Sequence, residues 1–261
     1  MTGLRVRLLG TGPSQGVPEI GNVWGACDPA NPRNRRSRCA ALIEADDGTR
    51  LLVDAGPDIR AQLLDAGVDR LDGLLITHAH ADHIAGLDEM RSVNRRMRRA
   101  LPLYATAKTL SDLRKRFDYC FLDPTPSFYR PALEPRIVAP GQTLRIGPMA
   151  VELLDQDHRV MRSLGLRIGR FAYTTDVVAF PPESFARLHG LALWVVGCFQ
   201  RAPHPVHANL AQVLQWRDAL GRPRAVLTHM SGDLDEATLR AELPRGMEPG
   251  FDGMELRLDP E

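Results

Sequence analysis

The segment His78-Ala-His80-Ala-Asp82-His83 places three imidazoles and a carboxylate within six residues. It follows the apolar run GLLIT, and a helical spacing of apolar residues begins directly after it, so the four side chains share one strand-to-helix turn. Charged and buried together, three imidazoles would repel one another. As neutral nitrogens beside an anion they become favourable around divalent cations. Three more groups of the same chemical type stand at or just after strand-like runs: His158 after AVELLDQD, Asp176 closing FAYTTD and His229 closing AVLTH. Strand ends converge on one edge in a layered fold, which can carry these residues to the same place as the first cluster. Asp54, at the end of LLVDAG, fits the pattern as a residue that orients a ligand histidine or the turn.

The elements that must position these groups are strand-rich. Strand-like runs cover Leu4 to Leu9, Ala41 to Ala45, Leu51 to Asp54, Gly73 to Thr77, Leu103 to Thr106, Ala150 to Leu154, Leu164 to Ile168, Phe171 to Thr175, Leu191 to Val196, Ala225 to Thr228 and Met254 to Leu258, about eleven in all. Helical spacing covers Pro57 to Ala66, Ile84 to Met97, Thr109 to Phe121, Pro182 to His189, Ala208 to Leu220 and Asp235 to Leu243. A regular alternation of strand and helix would need one helix per strand. Consecutive strands with few helices instead suit two sheets packed face to face with helices outside, and residues 1–261 read as one domain without repeats. Gly21 to Arg38 is polar and turn-rich, an expected surface loop. Asp123 to Gly141 carries five prolines and reads as a long loop, either a lid or a surface crossover.

Composition narrows the function classes. The chain has 44% hydrophobic and 25% charged residues, which suits an ordinary globular protein and excludes disordered and coiled-coil classes. Thirty-three Lys and Arg against 32 Asp and Glu argue against nucleic-acid binding by bulk basicity. The apolar run Leu191 to Phe199 is too short to span a bilayer and no signal-peptide pattern opens the chain, so a cytoplasmic protein without a membrane partner is expected. Cys27, Cys39, Cys120 and Cys198 are scattered and form no C-x-x-C pair, as buried small hydrophobes would be. Gly10-Thr11-Gly12 and the loop onward to Gly16 offer backbone amides that could approach a phosphate, or a plain strand-exit turn. Arg91, Arg95, Arg96, Arg98 and Arg99, with Arg33, Arg35, Arg36 and Arg38, read as solvated faces that could also steer a phosphorylated substrate.

Taken together, H-x-H-x-D-H after an apolar strand, D-A-G upstream and the later His, Asp and His resemble the metallo-β-lactamase superfamily, across nearly the whole chain from Leu4 to Leu258. The resemblance implies an α+β fold, a four-layer αββα sandwich with a dinuclear metal site at the sheet edges. It assigns one ion to His78, His80 and His158 and the other to Asp82, His83 and His229, with Asp176 bridging. Asp at the bridging position is similar to the phosphodiesterase and glyoxalase branches. The opening LLGTGPSQGVPEIG and the late HANL, AVLTHMS and LPRGMEPGFDGMEL resemble the PhnP-like branch, the phosphoribosyl cyclic phosphodiesterases.

That branch implies two divalent ions, Zn²⁺ or Mn²⁺, which make hydroxide available at neutral pH for in-line attack on a small cyclic phosphodiester. Substrates of this class are 5-phosphoribosyl 1,2-cyclic phosphate and 2′,3′-cyclic nucleotides. The expected catalytic residues are Asp82, at the centre of the ligand set, and His207 of PVHANL as general acid or base, with His204 as the alternative. A homodimer is plausible on the same resemblance. The branch also carries a structural zinc, whose ligand positions here read Asn22, Trp24, Cys27 and Gly232, so no structural zinc is expected. Rival readings are a tRNase Z-like RNA 3′-processing nuclease, a glyoxalase II-like thioesterase, and a non-catalytic PqqB-like binding or carrier protein.

Overall fold

The computed structural model describes residues 2–260. Its first half builds one sheet from β1 (Leu4–Gly10), β2 (Ala40–Ala45), β3 (Arg50–Val53), β4 (Gly73–Leu75), β5 (Leu101–Ala105) and β6 (Leu133–Ile137). A second sheet follows from β7 (Thr143–Ile146), β8 (Met149–Asp157), β9 (Arg162–Ile168), β10 (Phe171–Thr174), β11 (Leu193–Gly197), β12 (Arg224–Thr228) and β13 (Met247–Pro249). The chain then returns through β14 (Glu255–Leu258) to the first sheet, giving the orders β14-β1-β2-β3-β4-β5-β6 and β13-β12-β11-β10-β9-β8-β7. The fold is the expected α+β sandwich.

Side-chain alternation along the strands separates three apolar layers. On β2, Ala41, Ile43 and Ala45 face the inner core between the sheets, where they join Leu8, Leu153, Leu166 and Tyr173, while Ala40 and Leu42 face outward. Truncating a core residue such as Leu153 to Ala is worth roughly 2–5 kcal/mol. The outer layer of the first sheet is covered by α1 (Ile59–Asp65), α2 (Ala81–Ile84), α3 (Met90–Met97) and α4 (Ala107–Arg116), which bury Ile59, Leu63, Met90, Val93, Leu110 and Leu113 at helical spacing. The second sheet is flanked by α5 (Pro182–Ala186), α6 (Leu210–Ala219) and α7 (Glu236–Glu242), with Val213 and Leu239 in its outer layer. Thr106, Asn209 and Asp235 cap α4, α6 and α7 by accepting from the amides of Thr109, Gln212 and Thr238.

Three strands lie outside the sequence expectation, and each is short and at or near an edge. β6 falls inside the proline-rich stretch, where Pro135 pairs opposite Leu103 on an edge strand that has one neighbour and so tolerates the missing amide. The stretch is therefore a loop only up to Ala132 and again after Ile137. β7 and β13 are the edge strands of the second sheet, of four and three residues, too short to show a period. The helix expected over Ile84 to Met97 is broken into α2, a 3-10 turn Leu87–Glu89 and α3. Gly86 marks the break: a Cβ there would lie 2.1 Å from the Gly56 carbonyl oxygen, so this turn packs directly on backbone.

Candidate metal centre

β4 ends at Leu75, but its extended path continues as Ile76 donates to the Tyr104 carbonyl at 3.0 Å. This carries His78 and His80 to the sheet edge, where His80 is the N-cap residue of α2 and Asp82 and His83 form the helix's first turn. Asp54 stands beside them with a left-handed backbone, φ 65°. Its carboxylate accepts from the Thr77 amide (2.8 Å) and hydroxyl (2.8 Å) and from His83 Nδ1 (2.6 Å). Because Nδ1 of His83 is engaged, Nε2 is the nitrogen left to face the centre. Thr77, which sequence patterning did not single out, also reaches His78 Nδ1 at 3.0 Å and leaves Nε2 of that ring for the centre. Burial pushes the Asp54 carboxyl up despite the His83 and Thr77 contacts.

The second sheet supplies the other donors from the ends of its strands. His158 follows β8 and donates through Nδ1 to the Val206 carbonyl at 2.8 Å, which aims Nε2 inward. Asp176 and His229 follow β10 and β12 with left-handed backbones, φ 49° and 56°. All seven expected ligand residues come together. His80 Nδ1 lies 3.0 Å from His78 Nε2 and 3.3 Å from His158 Nε2. His83 Nε2 lies 3.1 Å from Asp176 and 3.3 Å from Asp82, and His229 Nε2 lies 3.3 Å from Asp176 and 3.6 Å from Asp82.

These separations suit donors around cations. Ligand atoms at about 2.0–2.2 Å from a tetrahedral ion lie about 3.3–3.6 Å apart. Nε2 of His83 and both ring nitrogens of His229 are buried with no hydrogen-bond partner, and nitrogen faces nitrogen across His78, His80 and His158. Two separate triads, His78 with His80 and His158, and Asp82 with His83 and His229, offer sets that could each hold an ion. The metal-free charges follow from the same packing. Burial opposes protonation of His83 and His229, but Asp176, Asp82 and, for His83, Asp54 raise both. His78 is pushed well below the usual range by burial and by His83. Asp176 and Asp82 are held well down against burial by the imidazoles.

His207 joins this cluster. Its side chain is 15% exposed, with Nδ1 3.6 Å from Asp176 Oδ1. The ring stacks on Phe199 and on His229, each at 4.9 Å between centroids. Burial and the neighbouring His229 push it down to about 3, so at neutral pH it rests uncharged. With His158 and Asp176 it also completes a triad that could hold an ion. His204 sits one ring further out, 5.1 Å from His207 and 4.6 Å from Phe199 between centroids, tilted to both rings.

Of the two readings of the glycine loop, the structure favours the strand-exit turn, and of the arginines only Arg36 departs from a solvated face. Thr11 N and Oγ1 donate to Asp252, Gly12 N to the Ser37 carbonyl and Gly16 N to Pro13, so these amides are spent inside the fold. Arg91, Arg96, Arg99, Arg33 and Arg38 pair with Asp88, Asp69, Asp72, Glu236 and Asp58, and Arg36 is buried. Arg33, Arg91, Arg96 and Arg99 stay 43–71% exposed in surface pairs, as a solvated face would.

Gly21 to Arg38 is likewise more than a surface loop, because Asn34 and Arg36 are buried in it. The four positions compared with a structural zinc do not fit one. Asn22 accepts from the Trp24 indole, and burial raises the lone thiol of Cys27, which lies 3.6 Å from the Leu234 carbonyl. A Cβ on Gly232 would sit 2.7 Å from the Trp24 carbonyl oxygen, and Ala26 donates to the Gly232 carbonyl at 2.7 Å. Backbone contact fills the space. All four cysteines are buried and free, and among the described residues no helix is long and apolar enough to cross a membrane.

Residues 49–230 match the family model of a beta-lactamase superfamily domain. Over 98% of its length the chain is 35% identical to an octanoyltransferase of Porphyromonas gingivalis, of which it spans about half (52%). It is 28% identical to coenzyme PQQ synthesis protein B of Cupriavidus necator, covering 97% of this chain and 99% of that protein. Among solved structures, a new diphosphatase from the PhnP family superposes with a TM-score of 0.88 at 30% identity, covering 98% of this chain and 97% of that one.

Proposed function

Because the chain belongs to the metallo-β-lactamase superfamily, in its PhnP-like branch, we propose that it is a metal-dependent hydrolase that cleaves a phosphorus–oxygen bond of a small phosphodiester. 5-Phosphoribosyl 1,2-cyclic phosphate and 2′,3′-cyclic nucleotides are its substrate class. The observation that carries this reading is the convergence of buried donor atoms lacking hydrogen-bond partners at the strand ends, Nε2 of His83 and both nitrogens of His229 among them.

His78, His80 and His158 would hold one cation, and Asp82, His83 and His229 the second. Asp176, whose two oxygens face different imidazoles, lies between them. Such cations, when bound, neutralise phosphoryl charge and lower the pKa of water so that hydroxide is available at neutral pH. The chain's own contribution is orientation and proton handling. Asp54 and Thr77 keep His83 and His78 turned so that Nε2 faces inward. His207 rests neutral, and Nδ1, the nitrogen toward Asp176, is the atom placed to accept the proton that the attacking water releases on becoming hydroxide and then to return that proton to the departing sugar oxygen. Phe199 holds the ring flat against the site.

The relative described as a diphosphatase widens the leaving group from a sugar alkoxide to a phosphate, with the same bond type cleaved. The test is ³¹P NMR of Mn²⁺-loaded protein with 5-phosphoribosyl 1,2-cyclic phosphate, a 2′,3′-cyclic nucleotide and a dinucleoside diphosphate in parallel, with a glutathione thioester as control. Ring opening or anhydride cleavage is expected. Turnover of the thioester alone, or of nothing, overturns the proposal.

A further inference from the structure

His229 has a left-handed backbone, a conformation that a residue with a side chain keeps only where its surroundings over-determine it. The residues that follow it are held from four sides. Met230 N donates to the Thr11 carbonyl (2.9 Å), Ser231 N to the Phe199 carbonyl (2.9 Å), and the Gly232 carbonyl accepts from Ala26 N (2.7 Å). The fourth hold is Arg36, whose Nη1 donates to the Ser231 carbonyl (2.9 Å) and Nη2 to the Leu234 carbonyl (2.6 Å).

Arg36 is 1% exposed and makes no ion pair among the described residues. An arginine in such a place serves geometry, since its planar fork holds two carbonyls from two separate nitrogens in fixed directions, which the single point charge of an ammonium does not. Its own backbone is fixed in turn. Arg36 N and O pair with Val17, and the next residue, Ser37, donates from N (2.7 Å) and Oγ (2.6 Å) to Asp252, which also accepts from Thr11. The buried guanidinium therefore connects the strand exit at Thr11 to the segment that sets the direction of the His229 ring.

We propose that Arg36 is a positioning residue for the half of the metal centre that contains His229. It fixes the backbone of residues 231–234 so that His229 meets Asp82 and Asp176. The half built from His78, His80 and His158 stands on other elements and does not depend on it. This inference rests on the metal-dependent reading above.

The experiment strips the full-length protein with chelator and titrates it with Mn²⁺, following affinity by calorimetry and ion pairing by EPR. In Arg36→Met one of two equivalents should weaken tenfold or more, with loss of the spin-coupled signal, while the other is unchanged. Arg36→Lys should recover part of the loss. A uniform weakening of both equivalents, or none, overturns the proposal. If Arg36→Met does not fold, Asp252→Asn loosens the same connection at Thr11 and must show the same selective loss, and an unchanged second equivalent there overturns it equally. A wild-type chain that never holds a second equivalent overturns this inference and the two-cation assignment, and one that holds no Mn²⁺ at all overturns the metal-dependent reading with them. A wild type that holds two but hydrolyses no phosphodiester removes the substrate assignment alone.

Discussion

At the strand ends, carboxylates and imidazoles crowd together with nitrogens that find no hydrogen-bond partner. At the N-terminal loop, where the family resemblance places a separate structural zinc, the indole of Trp24 donates to the side-chain oxygen of Asn22 and Gly232 packs directly on the Trp24 backbone. The two regions share His229's loop and differ in one respect. In one, imidazole nitrogens of several residues converge without partners; in the other, Asn22, Trp24 and Gly232 are taken up by neighbouring side chains and backbone, and the unpartnered Arg36 Nε belongs to a cation that cannot bind a metal. A metal centre in this fold is thus recognised by unspent donors at a fixed spacing, and its absence by a glycine and a buried guanidinium that take over the linking role.

The comparison can be broken most severely at the reacting end. His207→Ala should retain both cations yet lose roughly 10²- to 10⁴-fold in kcat. Metal analysis beside steady-state kinetics checks this, and loss of a cation instead would make His207 a ligand. Asp54→Asn acts one step back. It weakens the acceptor that orients His83 and should reduce metal affinity by roughly 10- to 100-fold, read by chelator competition.

Gly232→Ala addresses the other region, where its methyl would press on the Trp24 carbonyl. It should lower stability by about 1–3 kcal/mol, as denaturant unfolding would show.

The smallest effect is electrostatic. His207 is lowered to about 3 in the folded chain, so the unfolded chain takes up its proton first, near the ordinary value of about 6.5. Its contribution to stability is complete above that pH and is lost as pH falls toward 3. Between pH 6.5 and 5.5 the metal-free wild type should lose ~1 kcal/mol more than His207→Ala. The difference between the two proteins is the quantity to follow, because His83 and His229, raised in the fold, drive the opposite slope.

Legibility in the sequence followed the range of the contacts involved. His78, His80, Asp82 and His83 are local, and their spacing on one turn announces itself. Asp54 was visible as a strand-end carboxylate, and the structure gives it His83 and Thr77 as partners. Thr77, Phe199 and Asp252 carried no signal, and Arg36 read only as part of a solvated basic loop although it is buried, since a threonine in an apolar strand or an arginine in a basic loop has many commoner uses. The arginine runs are mostly the solvated faces expected, while the carboxylates they pair with, such as Asp69 and Asp72, lie too far along the chain for spacing to reveal. β6, β7 and β13 escaped because short edge strands hold too few residues to display alternation.

By itself the sequence determined which side chains can bind a cation and that each stands near a strand end, because residue chemistry and the two-residue period of a strand are local properties. Tertiary structure alone decided which donors meet. His158 reaches His80 across 78 positions of chain, and Asp54, Asp176 and His229 turn inward only through left-handed backbone that their surroundings enforce. Such pairings and strained conformations arise from packing between distant segments, and no local pattern encodes them.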